Sequence, residues 1–236
     1  EVTGVNLTTN PLLKPDMPQR DLDHLIALYD GEIRFTDDVL RSLFEVLKKR
    51  RLLGNTVTVV TADHGEEFFE HGRKGHQQTL YDEVLRVPLI VHWPQGIEGG
   101  RVVDQQVRLV DLMPTLARFA GLPGNLGVQG RDLGPLLRGG KLPEAPALAE
   151  LLVGEQSVRA VRTTGTKTYQ HESNVPAVFY DLVDDPFEQN PYLQGSSRED
   201  ERQAGEKALL KISHQALEFR RFLNLEAPQD DISIPD

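Results

Sequence analysis

The sequence predicts an α/β protein: part of a mixed, mostly parallel sheet between helices, followed by a small antiparallel sheet subdomain packed by a C-terminal helix. Three observations carry this. A long amphipathic repeat beginning at Asp21 leads directly into "TVTVVTA" (residues 56–62), a β-branched run apolar on both faces, the pattern of a strand buried between helix layers. Helix followed by buried strand favours a parallel sheet. Beyond about residue 142 the pattern changes to four short apolar or alternating segments separated by turn residues, which predicts an antiparallel sheet. The change falls within the Pro/Gly/charged stretch "GGKLPEAP" (residues 139–146), so the expected domains are 1–142 and 143–236.

The elements follow in order. Leu22, Leu25, Ile26, Leu28, Tyr29, Ile33, Val39, Leu40, Leu43, Phe44 and Leu47 recur at three- and four-residue spacing, with Asp21 as expected N-cap and "KKRR" in the last turn, where cations complement the helix dipole. "RVPLIVHWP" (residues 86–94) predicts a second buried strand, stopped by Pro94. "VRLVDLMPTLARFAGLPG" (residues 107–124) predicts a short strand and then a helix from about Asp111 to Ala120, with Asp111 as N-cap and Gly121 as C′. "GRDLGPLLRGG" supplies one or two helical turns. "ALAELLV", "SVRAVRTT", "KTYQHE" and "AVFYDL" are the four strands of the small sheet, and "SREDERQAGEKALLKISHQALEFRRFL" is the covering helix, capped by Ser197. "NLEAPQDDISIPD" predicts a loose tail.

Composition narrows the function. With 36 acids against 26 bases and a net charge of −10, no basic stripe is available for a nucleic-acid backbone or an anionic membrane surface. There is no cysteine, which excludes disulfides, thiolate zinc sites and a cysteine nucleophile within this chain. No apolar run reaches the roughly 18 residues of a spanning helix. The start, "EVTGVNLTTNPLLKPDMPQRD", has no initiating Met and no signal-peptide pattern, and predicts a truncated or processed chain.

The chemistry concentrates in "ADHGEEFFEHGRKGH" (residues 62–76). Asp63 and His64 follow the strand directly, at the carboxyl edge where open α/β sheets bind ligands. Once the chain leaves the strand and Gly65 permits a tight turn, both side chains can converge on one ion. A carboxylate with an imidazole suits a divalent cation, but a stable site needs about four to six donors. Neither a His-Glu-x-x-His pattern nor EF-hand spacing completes it. Glu66, Glu67, Glu70, His71 and Arg73 are expected to be a packed, charged turn, with Asp63 capping a short helix from Gly65 and with Phe68 and Phe69 as anchors. His76, after Gly75 on the basic loop "GRKGH", is placed to bind an oxyanion or to give a proton to a leaving group. Lys74 is a second candidate substrate contact.

Taken together, "YDGEIRFTDDVLRSL", "NTVTVVTADHGEEFFEHG", "GHQQTLYDEVLRVPLIVHWP", "LVDLMPTLARFAGLPG", "GRDLGPLLRG" and "FYDLVDDPFEQN" resemble, in order and spacing from about Leu25 to Asn190, the successive blocks of a sulfatase of the alkaline phosphatase superfamily. The resemblance implies hydrolysis of sulfate esters, on a small molecule or a glycan, by a metal-bound nucleophile. It assigns Asp63 and His64 to the family's late metal-ligand pair and His76 to the sulfate or the leaving-group oxygen. Calcium is the first candidate for the metal, with magnesium, manganese and zinc also compatible. Tyr81 and Arg86 match motif residues expected to be structural, Arg86 pairing near a strand entrance; Asp181 and Asp185 match a structural turn. The family's nucleophile is formylglycine, made from Cys or Ser in a Cys/Ser-x-Pro/Ala-x-Arg motif that this chain does not contain. The expected partner is therefore the missing N-terminal half of the same protein, and the isolated chain is expected to be inactive. Two rival readings are a phosphoester, phosphonate or phosphoglycerol hydrolase or transferase of the same superfamily, and a non-catalytic binding module.

Overall fold

The computed structural model describes residues 7–122, 127–153, 156–172 and 175–223. The chain divides into two units, Glu1–Ala145 and Pro146–Asp236.

The first unit opens with α1 (Gln19–Lys49), a 31-residue helix. It starts two residues before the expected cap: Pro18 occupies the N-cap, and Asp21 sits in the first turn, where its charge still complements the dipole. Lys48 and Lys49 close the last turn. Its apolar stripe is continuous, yet Leu25 is the one residue of the helix that is fully buried, while Ile33, Phe35, Val39, Leu43 and Val46 remain exposed.

Strand β1 (Thr58–Thr61) follows, then the two-residue strands β2 (Glu67–Phe68) and β3 (Lys74–Gly75), the short helix α2 (Asp82–Leu85) and β4 (Leu89–His92). β1 and β4 pair antiparallel, with Val59 opposite Val91 and Val60 opposite Ile90. A mostly parallel sheet is not shown: among the described residues every strand pair is antiparallel. The chain between β1 and β4 is spent on a hairpin and one turn of helix, and no crossover helix of the kind a parallel pair requires is formed. β1 is also half-buried, with Thr61 exposed, where burial on both faces was expected. Each of these two strands keeps one edge unpaired among the described residues.

β2 and β3 form a hairpin, Glu67 opposite Gly75 and Phe68 opposite Lys74. It replaces the short helix expected from Gly65. Its turn is locked by the amide of Phe69 donating to the Arg73 carbonyl (2.8 Å) and that of Gly72 to the Phe69 carbonyl (3.0 Å). Phe68 packs edge-on against Tyr29 of α1, with centroids 5.4 Å apart.

Further on, residues 109–111 form a 3₁₀ turn where a short strand was expected, and α3 (Leu112–Phe119) follows. Asp111 does not cap that helix through its side chain. Its fully buried carboxylate accepts instead from the Arg108 amide (3.0 Å), the Arg108 guanidinium (2.7 Å) and the Arg131 amide (3.0 Å). Gly121 takes the left-handed conformation just past α3, as the C′ position requires. α4 (Gly134–Leu137) is a single turn with Leu136 buried.

The second unit is the antiparallel sheet the sequence predicts: β5 (Ala147–Val153), β6 (Gln156–Arg162), β7 (Thr166–Gln170) and β8 (Val178–Asp181), paired in that order. Val158, Ala160, Val161, Tyr169, Phe179 and Tyr180 are buried. α5 (Glu199–Phe222) covers the sheet through Leu209, Ser213 and Ala216. It approaches closely at Gly205, where an added Cβ would lie 2.0 Å from Thr168 Oγ1. Arg198, in place of Ser197, is the N-cap of α5, and its guanidinium lies over Phe179 and Tyr192, 5.3 Å from each ring centroid. Glu199, Asp200 and Glu201 occupy the first turn, favoured by the dipole. The turn after β8 is held by carboxylates: Asp181 accepts from the Val183 amide (3.0 Å), and Asp185 from the amides of Gln189 (3.0 Å) and Asn190 (2.7 Å). Across this unit Lys167 and Glu188 form a buried ion pair at 2.7 Å. The tail expected from residue 224 lies outside the described residues. No described helix is long and apolar enough to cross a membrane.

Candidate metal centre

β1 ends at Thr61, so Asp63 and His64 emerge immediately beyond it. Gly65 then presses the chain against α2: its amide donates to the Val84 carbonyl (2.8 Å), and a Cβ there would lie 2.0 Å from the Glu83 carbonyl oxygen. Glycine is the residue that allows this approach. Asp63 Oδ1 accepts from the His64 amide (3.0 Å), and His64 Nδ1 lies 2.9 Å from the Gly65 carbonyl. A carbonyl only accepts, so Nδ1 carries the proton and Nε2 keeps the lone pair that a metal takes. That Nε2 is 3.9 Å from Asp63 Oδ2, a separation that two donors each about 2.0–2.5 Å from a common ion can span. The Asp63 side chain is 90% exposed, open for further donors.

The hairpin brings His76 back to the same place. Gly75 has φ +78°, and a Cβ there would lie 2.2 Å from Thr8 Oγ1; the same hydroxyl accepts from the His76 amide (3.3 Å). The His76 ring lies 4.1 Å from that of His64, tilted by 31°, and its Nδ1 hydrogen-bonds Glu66 Oε1. His64, Glu66 and His76 each offer one donor atom within 4.8 Å of the others. This set of two imidazoles and a carboxylate suits a divalent metal.

Of the residues singled out from sequence, the structure thus brings His64 and His76 together, with Asp63 alongside. Lys74 is placed elsewhere: its ammonium donates to the carbonyls of Asn10 and Leu13 (2.8 Å to Leu13), tying the hairpin to the N-terminal loop, and this spends donors a substrate contact would need. Arg86 is exposed. Tyr81 is buried and stacked on His71 at 3.6 Å. Glu66 reads from its sequence neighbours as part of a charged turn. Its partner lies across the hairpin, and with a helix expected at that point nothing in the spacing could reveal the pair.

A second group adjoins in sequence. Glu67 is fully buried, and its Oε2 accepts from Thr79 Oγ1 (2.8 Å). His71 Nδ1 is 2.5 Å from Glu83 Oε1. Burial, reinforced by the charge of Glu83, holds the Glu67 carboxyl above its ordinary range against the opposing effect of Thr79 and His71.

Comparison with known proteins gives this arrangement a family. The model described as Sulfatase matches residues 7–122, and that described as N-sulphoglucosamine sulphohydrolase, C-terminal, matches residues 70–215. The ulvan-active sulfatase of Formosa agariphila is 29% identical over 201 residues, 80% of this chain and 38% of its own length. A protein solved in complex with its substrate D-glucosamine-2-N,6-O-disulfate superposes with a TM-score of 0.66 at 27% identity, over 78% of this chain and 38% of that one. The phosphonate monoester hydrolase of Silicibacter pomeroyi superposes with a TM-score of 0.69 at 25% identity, over 88% of this chain and 43% of that one. The chain thus spans less than half the length of these relatives. With the C-terminal model alone covering more than half of its residues, the chain belongs to the sulfatase family.

Proposed function

We propose that the chain supplies part of the active site of a metal-dependent hydrolase of sulfate esters, with sulfated small molecules or glycans as substrates. The observation that carries this reading is the convergence of Asp63, His64, Glu66 and His76 beyond one strand end in a chain of the sulfatase family. A divalent cation bound there, calcium first among magnesium, manganese and zinc, would supply Lewis-acid polarisation of a sulfate oxygen and a lowered pKa for the nucleophile. Asp63 contributes the charge that holds it. His64, its Nδ1 proton committed to Gly65, presents Nε2 in a fixed orientation. Glu66 fixes the His76 ring through Nδ1, which leaves Nε2 to contact the sulfate or to give a proton to the leaving-group oxygen.

The remaining donors and the formylglycine nucleophile belong, in this reading, to an N-terminal half outside the chain. Three features support that. The chain has no cysteine and no nucleophile motif. Ile33, Phe35, Val39, Leu43 and Val46 of α1 are exposed, and β1 and β4 each keep an open edge among the described residues. The chain alone is then inactive, and sulfatase turnover by the isolated 236-residue chain would refute the partial-site reading. In the protein that carries the nucleophile, His76→Ala lowers kcat/KM for alkyl sulfates by about 10²- to 10⁴-fold and for activated aryl sulfates by less. Equal losses remove the proton-donor role. The likeness to a phosphonate monoester hydrolase favours a second reading, hydrolysis of phosphonate monoesters at the same site. Faster turnover of a 4-nitrophenyl phosphonate than of 4-nitrophenyl sulfate would select it.

A further inference from the structure

Glu67 presents a problem that the proposed reaction does not address. Its side chain is fully buried. Thr79 satisfies Oε2, but Oε1 has no hydrogen-bond partner among the described residues. An unpartnered buried carboxylate oxygen is costly. The residue has two neighbours of metal-binding type: one donor atom from each of Glu67, His71 and Glu83 lies within 4.8 Å of the other two. His71 and Glu83 are themselves mostly buried, with side chains 10% and 16% exposed.

We infer that Glu67, His71 and Glu83 form a second divalent cation site, separate in its residues from Asp63 and His64, whose imidazole and two carboxylates are donors that zinc accepts, a second carboxylate oxygen or a water completing four. Two carboxylates and a neutral imidazole carry a charge of −2 that one divalent cation offsets, and the orphaned Oε1 becomes a ligand. The supports that orient metal ligands are in place. The Thr79 hydroxyl fixes one Glu67 oxygen, and Tyr81 stacks flat on the His71 ring, 6° from parallel. The donors come from β2, from the hairpin turn and from α2, so the ion would pin the hairpin to the helix whose backbone seats Gly65. The inference does not depend on the sulfate-ester reading.

The test uses the full chain carrying Asp63→Ala and His64→Ala, so that the first pair is removed, with zinc alone as probe. After chelator dialysis and reloading, this chain retains about one zinc per molecule and its melting temperature rises with zinc. Adding Glu67→Gln, which keeps the volume and the Thr79 contact, raises the apparent Kd for zinc at least about 10-fold and abolishes the rise. Glu83→Gln in the same background does the same, and serves if Glu67→Gln fails to fold. Zinc content near zero before the second substitution overturns the inference and leaves Glu67 holding a proton. Zinc binding unchanged by Glu83→Gln or by a folded Glu67→Gln variant also overturns it.

Discussion

Removing one partner of the Lys167 and Glu188 pair should cost the C-terminal unit far more than removing both. The two groups are 0% and 1% exposed and 2.7 Å apart. At that distance and an effective dielectric of about 20, Coulomb's law gives about 6 kcal/mol of attraction. Desolvating two ions costs several kcal/mol each, so the pair comes near to breaking even. Removing one member leaves the other charge buried without this attraction. Lys167→Met or Glu188→Gln should each destabilise by about 3–5 kcal/mol, and the double variant by less than either single change. Native-state hydrogen exchange of the β6, β7 and β8 amides reads the stability of this unit directly. Single losses that add to within about 0.5 kcal/mol would refute the argument, as would a single loss below about 1 kcal/mol.

Other perturbations probe separate links. The Arg202 guanidinium beside Glu199 pushes its carboxyl from an ordinary 4.5 down to about 2, and Arg198 holds Asp181 below its ordinary range. Their contribution is complete above the ordinary carboxylate range and is lost as pH falls from about 4.5 toward about 2. The urea midpoint of the chain should fall more steeply across that window than that of Glu199→Gln. Gly65→Ala places a methyl against the Glu83 carbonyl oxygen and should weaken metal binding at Asp63 and His64 by about 10- to 100-fold, read by isothermal titration, without altering exchange in β6 to β8. Gly205→Ala would gain about 1 kcal/mol in an unhindered helix, but here meets Thr168 Oγ1. It should therefore destabilise, and the companion change Thr168→Ala should recover most of the loss.

What the sequence could and could not disclose follows the range of the interactions. The long apolar repeat of α1 and the alternating segments of β5 to β8 are local patterns, readable because one face of each recurs at the period of its own backbone. The β2 and β3 hairpin has strands of two residues, too short to show any period, and its turn uses positive φ at Phe69 and Gly72. Missing it concealed the pairing of Glu66 with His76. Asp111 sits where a helix cap belongs, but Arg131, twenty residues away, draws its carboxylate into a tertiary hub. A helix leading into a β-branched run predicts a parallel neighbour, but the partner of a strand is not written in its own pattern: β1, half-buried, pairs antiparallel with β4.

The hairpin also sets an order in time. Glu66 and His76 are ten residues apart in sequence, and a loop of that length closes in about 10–100 ns, a hairpin in about 1–10 μs. A ribosome adds about 5–20 residues per second. The side chains from Asp63 to His76 can therefore meet by local diffusion long before the four-stranded sheet has been synthesised, so their juxtaposition needs none of the chain that follows them.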